Sequence, residues 1–394
     1  MDEATRKAAK MEIDESLMLS TFSMRRIGLS FDKPRNATDY FLQKLIFSLS
    51  ICGICCHVST EFINIVLTFA SSPRVEDVVP LFHTFGYGAL SIAKVFVLWY
   101  KNKVFGELIE ELTGIWPMPP LDGDALGIKE KSLTALRISH RWYFSVNVLG
   151  VWFYNLTPII VYFYRVWQGQ DAQVGFVWVS WYPFDKHQPF AHVAVYLFEI
   201  FAGVTCVWIM VSSDLLFFGM ASHIALLMRI LQRRLESLAS TEQTDEENYE
   251  EIRSNIKLHQ RLIRQGEPSV EECLNNGFAI IKPILQGLRL LEPFMAISNK
   301  LFLGSALIQV GAMCWYADDI FHANGNIAAA VYSSDWYKMS PRCRRALLFL
   351  ILRCQKPIAF TAMKFTNISL VTYSSILTRS YSYFALLYTM YSDN

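Results

Sequence analysis

Charged side chains are scarce in this sequence of 394 residues. Asp, Glu, Lys and Arg make up 18% of it, whereas soluble domains carry about 25%, and the mean hydropathy is +0.25. The formal net charge of +1 indicates no charged partner, and no dense basic stripe of the kind that binds nucleic acid is present. The composition therefore indicates a protein of the lipid bilayer.

Signals of several other protein classes are also missing. The N-terminal stretch MDEATRKAAKMEIDES has no apolar core, so a cleaved signal peptide is not expected. The eight cysteines fall in apolar or basic segments rather than in the spacing of a secreted disulfide framework. Because the eight histidines are scattered and no P-loop, dinucleotide fingerprint or Gly-x-Ser-x-Gly motif occurs, we expect no enzyme, no cofactor and no zinc site.

Long apolar runs are what the sequence has instead. A helix crosses a bilayer with about 20 mostly apolar residues, and six clear runs of this kind are present. A seventh candidate, Asn276–Ser298, is doubtful because Lys282, Arg289 and Glu292 interrupt it. The clear runs are Leu45–Ala70, Val79–Tyr100, Trp142–Tyr164, Phe190–Val211 with a helical continuation to about Leu235, Lys300–Tyr316 and Pro357–Tyr391.

The distribution of Lys and Arg decides the doubtful run, because these residues collect on the cytoplasmic side of a membrane. Only with seven crossings do all the basic segments lie on one side. We therefore predict an all-α membrane protein with seven transmembrane helices, a cytoplasmic N-terminus and an extracellular C-terminus. The basic segments are 1–40, 101–141, 228–270 and 318–357, and the segments with few Lys and Arg residues are 71–78 and 165–189.

This topology divides the chain into four parts. They are a cytoplasmic N-terminal segment (1–40), the first six crossings with cytoplasmic loops at 101–141 and 228–270 (41–320), a cytoplasmic anchor region (321–356), and a last helix with a cytoplasmic foot (357–394).

Two features within this plan have alternative interpretations. The aromatic loop 175–190 is either a belt at the membrane interface or a lid over an apolar cavity. The ionisable residues Lys94, Glu199 and Lys364 lie in predicted spans, where such groups either pair between helices or contact a ligand or ion. Because Lys94 and Glu199 lie on neighbouring spans, a pair between these two residues is one form of the first alternative.

The last third of the sequence carries a recognisable pattern. YSSDWY occurs at Tyr332–Tyr337, and LRCQKPIAFTAMKFTNISLVTYSSILTRSYSYFALL occurs at Leu352–Leu387. This stretch resembles the C-terminal signature of the insect odorant receptors, from the Arg, Gln and Pro at positions 353, 355 and 357 to Ser380–Phe384. The interrupted fifth run departs from the family, in which that helix is cleanly apolar.

The resemblance implies a subunit of an odorant-gated, non-selective cation channel. Members of the family place four subunits around one pore, with a tuning subunit and a shared odorant co-receptor (Orco) in one heterotetramer. The chain lacks the long cytoplasmic insert of the co-receptor, so it resembles a tuning subunit in the plasma membrane of an olfactory sensory neuron dendrite. A gustatory-type ligand-gated channel subunit is the alternative, followed by a G-protein-coupled receptor, which the charge pattern opposes.

The resemblance also implies site residues. In the last helix, aligned on Tyr383-Phe384, it places a hydrophobic gate at Leu386, which can close a pore by dewetting, and an outer pore ring at Thr389 and Met390. Ser382 shares their helix face. A pocket for a small volatile odorant is implied between the outer halves of spans two, three, four and six. Its implied residues are Phe85, Tyr87, Tyr154, Asn155, Thr157, Tyr196 and Phe198.

Overall fold

The computed structural model describes residues 2–32, 34–71, 75–238, 244–266, 293–356, 360–362 and 366–392, and most of them are helical. The helices are α1 (Glu3–Ser16), α2 (Met18–Arg26), α3 (Ala37–Ala70), α4 (Val75–Tyr100), α5 (Asn102–Ile115), α6 (Gly123–Trp167), α7 (Pro189–Glu236), α8 (Asp245–Gly266), α9 (Pro293–Ser333), α10 (Pro341–Cys354) and α11 (Leu370–Ser392). A 3-10 turn, Trp336–Lys338, precedes α10, and the short strands β1 (Thr361–Ala362) and β2 (Thr366–Asn367) pair antiparallel before α11.

Three helices of the described ranges, α3, α6 and α7, are long and apolar enough to cross a membrane. Three further predicted spans coincide with parts of α4, α9 and α11. Most of the doubtful run, up to residue 292, lies outside the described residues, and so does Lys364.

The helices α6 and α7 are much longer than a bilayer requires. They contain 45 and 48 residues, or about 68 and 72 Å at 1.5 Å per residue, whereas the hydrocarbon core is about 30 Å thick. The continuation predicted beyond Val211 extends to Glu236. The segments 101–141 and 228–270 consequently consist largely of helix, including α5, the first part of α6, and α8.

The helix α7 is the centre of the molecule. Most of its side chains from Ala202 to Leu235 are buried, because α2, α4, α6 and α9 pack around it. A helix that is apolar on all sides is expected to be surrounded by protein. The N-terminal helices cover part of its C-terminal half, where the hydroxyl of Ser20 donates to the carbonyl of Ser212 at 2.9 Å.

The C-terminal segment differs from the prediction at its start. A helix from Pro357 is expected from the apolar run, but α11 begins at Leu370. Ser369 caps this helix, since the backbone N–H of Thr372 donates to its Oγ at 3.2 Å, the usual role of serine at a helix N-terminus. The polar residues just before the cap belong to β1 and β2 instead.

Candidate functional site

A cavity of about 450 Å³ lies between α4, α6, α7 and α9. Pockets for small molecules commonly have volumes of about 300–1,000 Å³, so its size suits such a ligand. The walls are mainly apolar and include Val146, Leu149, Val151, Phe153, Val207 and Ile308.

One end of the cavity, which we call the lid end, lies against the loop between α6 and α7. Trp178 of this loop lines the cavity, and the centroid of its ring lies 4.9 Å from the centroid of the Tyr154 ring. Gly203 on α7 permits this packing, because a Cβ there would lie 2.9 Å from Cζ2 of Trp178. Of the two interpretations that the loop sequence leaves open, the position of Trp178 favours a lid, while Trp181 and Phe184 of the same loop are exposed.

Glu199 of α7 holds the lid in place. Its Oε2 accepts the backbone N–H groups of Val177 at 2.8 Å and Trp178 at 3.2 Å, and its Oε1 accepts the hydroxyl of Tyr182 at 3.2 Å. These donors compensate the burial of a carboxylate that is 0% exposed. Burial and the nearby Glu199 raise the pKa of the Tyr182 phenol, so this hydroxyl remains a donor at neutral pH.

The opposite end, which we call the ion-pair end, rests on Asp214 of α7. Its Oδ1 forms an ion pair with Nζ of Lys94 on α4. Its Oδ2 accepts the hydroxyl of Tyr143 on α6 and the side-chain amide of Gln309 on α9, each at 2.7 Å. All four side chains are buried. Since a buried charge is costly without its partner, this cluster fixes the relative positions of the helices that form the cavity.

The suggested pair between Lys94 and Glu199 is wrong, because Lys94 pairs with Asp214 and Glu199 binds the lid. Asp214 lies beyond Val211, the predicted end of the fourth span, so it is not among the charged residues within the predicted spans. One signal was available, since Asp214 is the only charged residue between Glu199 and Arg229.

Two of the seven pocket residues implied by the family resemblance line the cavity, and the other five are not among its lining residues. Tyr87 and Tyr154 line the cavity. Asn155 and Tyr196 lie on α6 and α7, where the hydroxyl of Tyr196 donates to the carbonyl of Asn155 at 2.7 Å. The ring centroid of Phe85 lies 5.9 Å from that of Phe62 on α3. The hydroxyl of Thr157 donates to the carbonyl of Phe153 at 2.8 Å, and Phe198 is half-buried on α7.

The residues implied for the pore belong to α11. Ser382 is exposed, and its hydroxyl donates to the carbonyl of Thr378 at 3.0 Å. The side chains of Leu386, Thr389 and Met390 lie outside the part of the chain that the structure describes.

The first half of α11 contacts the helix that lines the cavity. The hydroxyl of Tyr373 donates to the carbonyl of Leu307 on α9 at 3.1 Å, and Leu307 lies between the lining residues Ala306 and Ile308. A Cβ on Gly311 would lie 3.2 Å from Cζ of the Tyr373 ring, so this glycine allows the two helices to approach. The implied pore helix and the cavity wall are thus in direct contact.

Metal binding has no structural support in the described ranges, where no three His, Cys, Asp or Glu side chains are grouped to hold an ion. The close cysteines Cys52, Cys55 and Cys56 are exposed on α3.

Comparisons with known proteins agree with one another. A sequence model of the family described as 7tm Odorant receptor matches residues 74–268 and 284–381. The chain is similar to odorant receptor 85c of Drosophila melanogaster, with 26% identity over 356 residues that cover 88% of this chain and 91% of that protein. Its similarity to odorant receptor 85b of the same species is 26% identity over 374 residues, covering 91% and 95%.

The fold is similar to that of the insect olfactory receptor OR5 from Machilis hrabei in complex with eugenol. The TM-score is 0.78 at 15% sequence identity, over 98% of this chain and 99% of that one. A second structure of OR5 from the same species gives a TM-score of 0.79 at 17% sequence identity, over 96% of this chain and 98% of that one. At such identities the likeness shows the fold.

Proposed function

The chain belongs to the seven-transmembrane odorant receptors of insects, and we propose that it is the tuning subunit of an odorant-gated cation channel, with the lidded cavity as its odorant site. The observation that supports this most is the apolar cavity between α4, α6, α7 and α9 beneath Trp178. Membership of this family leaves the gustatory-type and G-protein-coupled alternatives without support.

The cavity suits a small volatile odorant for a physical reason. Burial of apolar surface contributes about 25 cal/mol per Å², so a compact hydrocarbon skeleton gains affinity from aliphatic and aromatic walls. The lid removes the bound molecule from water. A ligand of this kind opens a channel only if it binds the open conformation more tightly than the closed one.

The contact between α9 and α11 offers a route from the cavity to the pore. Because Tyr373 is bonded to the backbone of a cavity-lining segment, a shift of that wall on odorant binding is expected to move α11. In the proposed channel, four subunits, including the shared co-receptor Orco, surround one pore for cations. Leu386 forms the gate of this channel, and Ser382, Thr389 and Met390 lie on the same helix face. The channel lies in the plasma membrane of an olfactory neuron dendrite, with the N-terminus of the subunit inside the cell and its C-terminus outside.

Current recordings in cultured cells test this function. Cells that express the chain together with the insect odorant co-receptor are expected to show inward current when volatile odorants are applied. Gly150→Phe, at a glycine that lines the cavity and where an added Cβ meets no atom of the described residues within 4 Å, is expected to fill part of the cavity and abolish the response. Gly127→Phe is the matched control, because Gly127 is an exposed glycine of the same helix with equally open surroundings.

Two results would contradict the proposal. An unchanged odorant response in Gly150→Phe would place the binding site elsewhere. For the pore, Leu386→Ser is expected to raise the basal current in the absence of odorant, since a polar ring no longer excludes water. A basal current equal to that of the wild type would remove Leu386 from the gate.

A further inference from the structure

The polar groups of the cavity wall are unevenly distributed. Apart from two tyrosine hydroxyls and the indole of Trp178, they belong to Asn147, Ser305 and Gln309. These three side chains lie at the ion-pair end. Gln309 donates directly to Asp214, and Asn147 donates to the carbonyl of Tyr143, itself a partner of Asp214, at 2.8 Å. A ligand in this cavity therefore meets an apolar wall along most of its length and amide groups at one end.

Asp214 determines the orientation of the Gln309 amide. A carboxylate that is paired with Lys94 is ionised, and its oxygens only accept hydrogen bonds. The NH2 group of Gln309 must therefore face Asp214, which it contacts at 2.7 Å. The amide oxygen, on the other branch of the planar carboxamide, is directed away from Asp214.

This oxygen is the unmatched acceptor of the cluster. Among the described residues, no donor is bonded to Oε1 of Gln309. Asn147 differs, because its Nδ2 donates to a carbonyl and its Oδ1 accepts the hydroxyl of Ser305 at 3.4 Å. In the empty cavity, water can satisfy Oε1 of Gln309. A ligand that displaces this water has to supply a donor or leave a buried acceptor unpaired.

We infer that Gln309 selects odorants with a hydroxyl donor, so that the preferred ligands are small alcohols and phenols. The hydroxyl donates to Oε1 of Gln309, and the carbon skeleton extends along Val207 and Phe153 toward Trp178. The inference rests on the proposed function, since it requires odorants to occupy this cavity. Gln309 acts here as a specificity-determining residue, and Asp214 acts through it as a positioning residue.

The wild-type receptor provides the first test. Sets of volatiles with one carbon skeleton, comprising the alcohol, the corresponding ketone or aldehyde and the hydrocarbon, are applied to cells that express the chain and the co-receptor. We expect the concentration for half-maximal current to be at least about tenfold lower for the alcohol, the equivalent of about 1.4 kcal/mol. The carbonyl compound is the decisive comparison, because it matches the alcohol in size but only accepts.

A variant then assigns the preference to one residue. Gln309→Met keeps the length of the side chain and removes the acceptor, so the alcohol and the ketone are expected to become equally potent. Gln232→Met is the matched control, because it makes the same exchange at an amide that donates to the carbonyl of Ala323 and does not line the cavity. It is expected to keep most of the alcohol preference. Surface labelling accompanies each recording.

The outcomes separate this inference from the proposed function. Currents that alcohols and ketones evoke with equal potency in the wild type overturn the inference and leave the odorant receptor intact. A preference that survives in Gln309→Met assigns the selection to another residue and also overturns it. Absence of any odorant current from a wild-type receptor at the cell surface overturns the proposed function and the inference together. The wild-type comparison requires no variant, so it stands even if Gln309→Met does not reach the surface.

Discussion

The two ends of the cavity are held by carboxylates of the same helix, but with different partners. At the lid end, Glu199 accepts hydrogen bonds from backbone and phenol groups of one loop. At the ion-pair end, Asp214 binds side chains from α4, α6 and α9, one of them the cation of Lys94. The lid can therefore open by breaking bonds to a single loop, whereas the ion-pair end changes only if whole helices move.

The free energy needed to break the contacts is also smaller at the lid end than at the ion-pair end. Hydrogen bonds to a charged group contribute about 1.5–3 kcal/mol each, and when the lid opens, water can replace the donors that leave Glu199. At the ion-pair end, removal of one partner leaves the other charge buried, which costs about 3–5 kcal/mol. The comparison predicts that damage to the lid end reduces ligand potency, while removal of one charge of the Lys94–Asp214 pair reduces the amount of folded receptor.

Removal of Asp214 is expected to have the largest effect. Asp214→Ala leaves the ammonium of Lys94, which is 1% exposed, without its anion, so stability falls by about 3–5 kcal/mol and little receptor reaches the cell surface. Surface labelling measures this loss.

The double variant Lys94→Met with Asp214→Asn is the matched control for the ion pair. It removes both charges at once and is expected to restore part of the surface expression. If the single variant reached the surface at the wild-type level, or the double variant did no better than the single one, the ion pair would not be what stabilises this end.

Neutralisation of Glu199 is expected to have an intermediate effect that is confined to ligand binding. Glu199→Gln keeps the shape but weakens the bonds to Val177, Trp178 and Tyr182, so the lid opens more often. We expect about tenfold lower odorant potency, in line with the loss of one charge-assisted bond of about 1.5 kcal/mol, with normal surface labelling. Asp185→Asn in the same loop is the control, because Asp185 is exposed and, within the described part of the chain, accepts a hydrogen bond from the backbone of His187 alone. Equal potency shifts in both variants would show that Glu199 has no special role.

A methyl group at Gly203 is expected to have the smallest effect. Gly203→Ala introduces a Cβ 2.9 Å from the Trp178 ring, which has to tilt, so a change of a few-fold in odorant potency is expected because overpacking by one methyl costs about 1 kcal/mol. Dose–response curves measure it. Gly150→Ala, at a cavity position with no atom within 4 Å of the added Cβ, is expected to leave potency nearly unchanged. Identical curves for both variants would mean that the lid tolerates displacement.

Much of the fold follows from apolar runs and basic segments. The runs at Leu45–Ala70 and Trp142–Tyr164 lie inside α3 and α6, and the run from Phe190 marks the start of α7. Helix ends were harder to predict, because the start of α11 depends on the capping hydrogen bond to Ser369, and a serine within a mostly apolar run does not by itself indicate a helix start. The two-residue strands are too short to leave a periodic signal.

The site was less predictable than the fold. The family resemblance implied the four spans that enclose the cavity, and two of its proposed residues, Tyr87 and Tyr154, line the wall. Asp214, Gln309 and Trp178 were missed because their roles depend on which faces of separate helices meet. These contacts depend on packing between residues that are distant in the sequence. Lys94, for example, forms its ion pair with Asp214 and not with Glu199.

Glu199 and Asp214 also determine one dimension of the receptor. Both belong to α7, which is helical throughout Pro189–Glu236, and at 1.5 Å per residue their backbones are held about 22 Å apart. A helix cannot stretch without breaking its own hydrogen bonds, so α7 serves as a spacer of constant length between the lid and the ion pair. Substitutions along the sides of the cavity can then change its breadth, but they do not change the distance between the two carboxylates that hold its ends. We therefore expect the proposed site to limit the length of an odorant more strictly than its breadth.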